Sequence, residues 1–140
     1  MVPSAELVRY SNSGTEAVMA ALRLGRAVSK RDGYIMVEGG YHGVWDAALW
    51  DIDIDEWDPE KGEPEIKSSS AGVPGITKDL VSLVPFNDAN ALEDLLKEKH
   101  NEIGTLMIEP ILGNCCSISA TQEYMQAVRD LCTKYDVILI

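Results

Sequence analysis

Val8-Arg9-Tyr10-Ser11-Asn12-Ser13-Gly14-Thr15-Glu16-Ala17 is the stretch whose reading decides the fold. The apolar run Leu7-Val8-Arg9-Tyr10 reads as a short strand, and it ends in a Ser-, Asn- and Gly-rich turn. A helix begins directly after that turn. Ser13 and Glu16 stand in the S-x-x-E arrangement of a capping box, which starts the helix near Gly14. Ala17, Ala20, Ala21, Leu24 and Val28 then recur at spacings of three and four, so they form the expected apolar face. Asp32-Gly33 stops the helix after about Lys30. A turn of this kind before a helix is an anion-site design, because the unpaired first-turn N–H groups and the positive end of the dipole both point at it. Gly14 lets a ligand approach the backbone, while Ser13 and Thr15 add hydroxyl donors. A phosphate fits that description. A plain cap by Ser13 is the other reading and, on spacing alone, the commoner one.

Downstream, strands alternate with helices. Residues 34–37 read as a buried strand, followed by Gly39-Gly40-Tyr41-His42-Gly43. Residues 81–84 form a second strand, and a helix over 88–100 turns Leu92, Leu95 and Leu96 inward. A strand at 105–108, a helix over 122–135 and a last strand at 137–140 complete the pattern. Strands separated by helices of this length predict an α/β fold built on a largely parallel sheet. In such sheets the functional residues lie just beyond the carboxyl ends of the strands. The last strand runs to residue 140, where such a residue is due, so the expectation is an incomplete large domain.

The formal net charge of −11 argues against a nucleic-acid partner, since it repels the phosphate backbone. No apolar run approaches the roughly 18–20 residues that cross a bilayer, and the N-terminus lacks a signal-peptide pattern. A soluble, cytoplasmic protein without a membrane partner is the expectation. The charge is concentrated: residues 46–65 hold nine acidic side chains and one Lys, together with Trp50 and Trp57. Beyond them the chain stays irregular through the Ser- and Gly-rich run ending at Gly75, which makes 45–77 a long loop of the kind that is functional or disordered. Three cysteines (Cys115, Cys116, Cys132) give no disulfide framework and, with two histidines, no metal site.

Three strand ends converge on polar groups. The strand at 7–10 runs into the Ser11-Asn12-Ser13-Gly14-Thr15 turn, and the strand at 34–37 is followed by Tyr41 and His42. Tyr41 offers a ring that could stack on a planar ligand, and His42 an imidazole to donate or move a proton. Glu109-Pro110 follows the strand at 105–108, with Gly113-Asn114 close behind. The convergence says more than any one residue, each of which has an ordinary structural use.

The run from Val8 to Ala17 resembles the phosphate cup (residues 11–16) of class III pyridoxal-phosphate aminotransferases. Tyr41-His42-Gly43, Gly72-Val73-Pro74, Pro85-Phe86-Asn87-Asp88 and Glu109-Pro110-Ile111-Leu112-Gly113-Asn114 follow in that family's order. The resemblance covers the whole chain and is nearest to the family's semialdehyde aminomutase branch. It implies the large domain of a fold type I, aspartate-aminotransferase-like enzyme, with pyridoxal 5′-phosphate as cofactor and a homodimer as the assembly. Ser13, Gly14 and Thr15 would hold the phosphate, Tyr41 would stack on the pyridine, and His42 would support that wall. Glu109 and Asn114 would line the ring, Asn114 toward its phenolic oxygen. Residues 45–77 match a mobile active-site lid.

The implied reaction moves an amino group on an amino acid or semialdehyde. An ω-amino-acid transaminase is the alternative within the family, and a non-catalytic phosphate-binding module is the alternative outside it. Two of the family's features have no match. None of the seven lysines stands in the motif of the lysine that links the cofactor, and the carboxylate that pairs with the pyridine nitrogen is absent. The expectation is therefore a chain that is inactive alone and binds the cofactor weakly. The acidic, tryptophan-bearing lid also departs from the small-residue lid of the aminomutases, and its charge disfavours an anionic substrate.

Overall fold

The computed structural model describes residues 5–53 and 65–140. The acidic run inside 54–64, with Trp57 and Lys61, lies outside the described residues.

Four parallel strands make the central sheet: β1 (Gly33–Val37), β4 (Val81–Val84), β5 (Ile103–Met107) and β8 (Ile138–Leu139). Their order is β4-β1-β5-β8. From β1 the chain moves outward to β4 on one side, then returns to β5 on the other. The strand order therefore reverses between β1 and β5, which makes the crevice above that pair the topological switch point. Side chains alternate along β1. Ile35 and Val37 enter one core with Leu92 and Leu96 of α2 (Ala89–Lys99) and Tyr124, Val128 and Cys132 of α3 (Gln122–Lys134). Tyr34 and Met36 enter the opposite core with Leu22 of α1 (Gly14–Ser29) and Trp50. Both faces are covered, as a parallel sheet requires.

The helix ends follow local chemistry. Ser13 caps α1, Asp88 caps α2 through the N–H groups of Asn90 and Ala91, and Thr121 caps α3. Each such cap contributes about 1 kcal/mol. Helix α1 ends where expected, with Lys30 as its C-cap: this residue adopts the left-handed conformation (φ 61°) and returns its N–H to Arg26 O.

Three expectations need correction. The expected apolar face of α1 is its outer face: Leu24 is 65% and Val28 60% exposed, and Ala17 and Ala20 are exposed too. The helix turns Leu22 and Gly25 to the sheet instead. A Cβ on Gly25 would stand 2.2 Å from Thr105 Cγ2, so the absence of a side chain is what lets α1 lie against β5. Second, residues 7–10 form no strand. No neighbouring strand is available to pair them, and Leu7 and Tyr10 are more than nine-tenths exposed. Third, the described parts of 45–77 contain short regular elements, with 69–74 left without helix or strand. β2 (Trp50–Ile52) pairs antiparallel with β3 (Ile66–Ser68), and short 3-10 helices cover Asp46–Ala48 and Gly75–Leu80. Trp50 anchors them: it is buried, and its Nε1 donates to Thr77 Oγ1 at 3.2 Å. A second small hairpin, β6 (Ile111–Leu112) with β7 (Ile118–Ser119), follows β5 and carries Asn114, Cys115 and Cys116 in its loop.

Candidate active site

The α1 N-terminus lies against the loop that leaves β1. Thr15 Oγ1 accepts the Val44 N–H at 3.3 Å, and a Cβ on Gly43 (φ 98°) would meet that oxygen at 2.5 Å. Only glycine allows the approach. Ser13 Oγ accepts from Glu16 N at 3.2 Å, and the Glu16 carboxylate is held back by the Asn12 N–H at 2.7 Å. This capping box thus closes on Asn12 rather than on Ser13. Each hydroxyl accepts one bond and keeps its own proton to donate. The first intrahelical bond is Ala17 N to Ser13 O, so the N–H groups of Gly14 and Thr15 face forward with no helical acceptor. A Cβ on Gly14 would meet nothing within 4 Å, so the approach is open. Two amides and two hydroxyls, all donors, suit a phosphate dianion. The residues present fit that part of the implied cofactor.

Tyr41 and His42 follow on the same loop and differ in exposure. Tyr41 is 53% exposed, with its ring available to a ligand. His42 is 6% exposed, and its Nε2 has no hydrogen-bond partner among the described residues. Burial holds the imidazole below its ordinary pKa, and the nearby Glu109 charge opposes that shift. A buried, unpaired ring nitrogen is costly, and it is the kind of atom that a bound ligand or water satisfies. The loop is tied down by Trp45, whose Nε1 donates to His42 O at 3.1 Å.

Across the switch point, Glu109 turns its carboxylate to main chain. Oε1 accepts the Tyr41 N–H at 2.7 Å and Oε2 accepts the Gly113 N–H at 3.4 Å. Cys115 adds a second link, its Sγ donating to Gly39 O at 3.3 Å. Tyr41 and Asn114 line one cavity of about 540 Å³ together with Glu38, Trp50, Asp51 and Cys115. Ser13, Gly14, Thr15, His42 and Glu109 do not line that cavity. Of the expected residues, the structure brings Tyr41 and Asn114 together there, and sets Thr15 against the same loop through Val44. Gly43, Trp50 and Cys115 were not among the candidates. The glycine after a strand-end His was the one signal for Gly43, and nothing in the local pattern marked Cys115. Among the described residues no group of three His, Cys, Asp or Glu is placed to hold a metal, and no helix is long and apolar enough to cross a membrane.

A parallel sheet with an open, donor-rich helix N-terminus beside the loop that leaves β1 is an α/β architecture suited to an anionic ligand. The particular family follows from comparison: the family model of aminotransferase class III matches residues 1–140, and the chain belongs to that family. It is 38% identical over 139 residues to a glutamate-1-semialdehyde 2,1-aminomutase of Methanosphaera stadtmanae, covering 99% of this chain and 31% of that protein. The Archaeoglobus fulgidus aminomutase is 39% identical over 138 residues, with the same coverage. The chain thus spans about a third of the length of the curated relatives it matches. Among solved structures, an omega-transaminase from Sphaerobacter thermophilus superposes with a TM-score of 0.87 at 31% identity, over 99% of this chain and 32% of that one. A glutamate-1-semialdehyde-aminomutase from Pseudomonas aeruginosa PAO1 in complex with PMP gives 0.75 at 28% identity, over 91% of this chain and 26% of that one. The chain therefore has part of the fold type I aminotransferase fold, as the family resemblance implied.

Proposed function

We propose that this chain forms the cofactor-binding part of a pyridoxal 5′-phosphate enzyme of the aminomutase kind, moving an amino group on an amino acid or semialdehyde. The observation that carries this reading is the open donor set of Ser13, Gly14 and Thr15 beside the Tyr41-His42 loop. When bound, the cofactor supplies an electron sink for proton and amino-group transfer at the substrate carbon. The chain's own residues bind and orient it. Ser13, Gly14 and Thr15 take the phosphate, Tyr41 offers its ring face, and His42 backs that wall from the core. Asn114 presents an amide to the phenolic oxygen, and the β2–β3 hairpin within 45–77 acts as a lid. A homodimer in the cytoplasm goes with this reading, carried over from the family resemblance.

No lysine lines the cavity among the described residues. The chain alone should therefore bind the cofactor without a covalent link and catalyse no transfer. The test is titration with pyridoxal 5′-phosphate, followed by borohydride reduction and peptide mapping. Saturable binding that inorganic phosphate displaces, with no lysine modified stoichiometrically, is the expected result. Equal affinity for dephosphorylated pyridoxal would overturn the cup assignment.

The likeness to an omega-transaminase favours a second reading, an intermolecular ω-amino-acid transaminase. Strong amino transfer from an amine donor to a keto acid by a full-length homologue would select it over the mutase. A non-catalytic phosphate-binding module is the third reading, and a coding sequence continuing past Ile140 into a later lysine would exclude it.

A further inference from the structure

Glu109 sits at the first corner after β5 and is half-buried. Its two oxygens are taken by amides of two different loops, Tyr41 N on the β1 side and Gly113 N on the β5 side. A carboxylate accepting amide N–H groups makes charge-assisted bonds, stronger than neutral ones. Tyr41 and the neighbour of Gly113, Asn114, are the two residues of the cofactor reading that line the cavity. One side chain spanning the switch-point crevice therefore ties the main chain at Tyr41 to that beside Asn114.

We propose that Glu109 is a positioning residue, not a ring ligand: its carboxylate clamps the Tyr41 and Gly113 amides and so fixes the gap into which the pyridine ring enters. The clamp rests on the cofactor reading only for what enters the gap. The clamp itself is a property of the apo chain. Each carboxylate oxygen thus has a main-chain partner that holds its direction. The negative charge of Glu109 also acts on the buried His42 ring, opposing the effect of burial on that imidazole. Cys115 Sγ on Gly39 O is a weaker link across the same crevice and leaves the Tyr41 amide to Glu109.

Two measurements on the 140-residue chain separate the clamp from the cofactor reading. In amide NMR spectra of the wild type, Tyr41 and Gly113 should shift together with one shared midpoint as the Glu109 carboxyl is titrated by acid. Glu109→Gln keeps an acceptor for one amide and places an NH₂ group at the other, so the joint titration should vanish while the remaining spectrum is retained. Independent or pH-insensitive behaviour of the two amides in the wild type overturns the clamp, whether or not any variant folds. The second measurement is affinity for pyridoxine 5′-phosphate, which has no aldehyde to react with lysines. Glu109→Gln should bind it about tenfold more weakly, while inorganic phosphate, which needs only the cup, binds unchanged. Unchanged pyridoxine phosphate affinity in folded Glu109→Gln would also overturn the role. If wild type binds neither probe, the cofactor reading falls, and the joint amide titration still decides the clamp.

Discussion

At the amino ends of the strands, the Arg31 guanidinium donates to His100 O at 2.7 Å, to Tyr135 O at 3.5 Å and to both the carbonyl and the carboxylate of Asp136. One side chain thereby joins the segments that enter β1, β5 and β8. At the carboxyl ends, the N–H groups of Gly14 and Thr15 face forward, and His42 Nε2 is buried without a partner among the described residues. Cavity size does not separate the two ends: about 570 Å³ at the amino end and about 540 Å³ at the carboxyl end. The state of the polar groups does. One edge of the sheet is tied together by the Arg31 hydrogen bonds and holds the fold, whereas the other leaves the Gly14 and Thr15 amides and His42 Nε2 open. Loss of stability and loss of binding should therefore come from substitutions at opposite ends.

The largest effect should come from Arg31→Ala. Removing the guanidinium strands several carbonyls and should cost about 3 kcal/mol in urea unfolding, with little change in phosphate affinity once folded. A substantial loss of affinity in the folded variant would break the division between the two ends.

Gly25→Ala comes next. Its methyl would overlap Thr105 Cγ2 and should destabilise by about 2 kcal/mol. Thr105→Ser deletes that methyl, so the double variant should recover part of the loss, which a double-mutant cycle measures.

Gly14→Pro tests the open end alone. Position N1 tolerates proline, and Ser13 before it is already extended (φ −148°, ψ 161°). The helix should survive, with melting unchanged, while one phosphate donor is lost and affinity drops about tenfold. Full affinity would remove Gly14 from the cup.

The smallest effect concerns pH. His42 titrates lower in the folded chain than its ordinary value because it is buried. The unfolded chain thus takes up the proton first as pH falls below about 6.5. Stability from this group is complete above that pH and declines toward the folded pKa. His42→Asn should flatten that part of the unfolding profile, and a phosphorylated ligand that occupies the site should shift the decline.

Much of the scaffold was legible because capping residues and β-branched runs act locally. Ser13, read as a cap, closes the first turn of α1, the helices expected over 88–100 and 122–135 match α2 and α3, and residues 81–84 match β4. The face of α1 was not legible. An alanine-rich helix shows apolar residues on several sides, and the position that selects the true one is Gly25, which adds nothing to a hydrophobic count. The strand expected at 7–10 failed for a related reason, since a strand exists only through its partner. The site was legible as residue types at strand ends. The direction in which Glu109 points, and the partnership of Gly43 with Thr15, depend on how two loops meet across the crevice, and neither leaves a mark in local spacing.

Gly25 also works as a fulcrum. From it to Gly14 the helix runs eleven residues, about 16 Å at 1.5 Å per residue. A tilt of roughly 5° about that contact would carry the helix tip sideways by about 1.4 Å, half the length of a hydrogen bond. A single missing methyl group in the middle of α1 thus sets the aim of donors that lie three turns away.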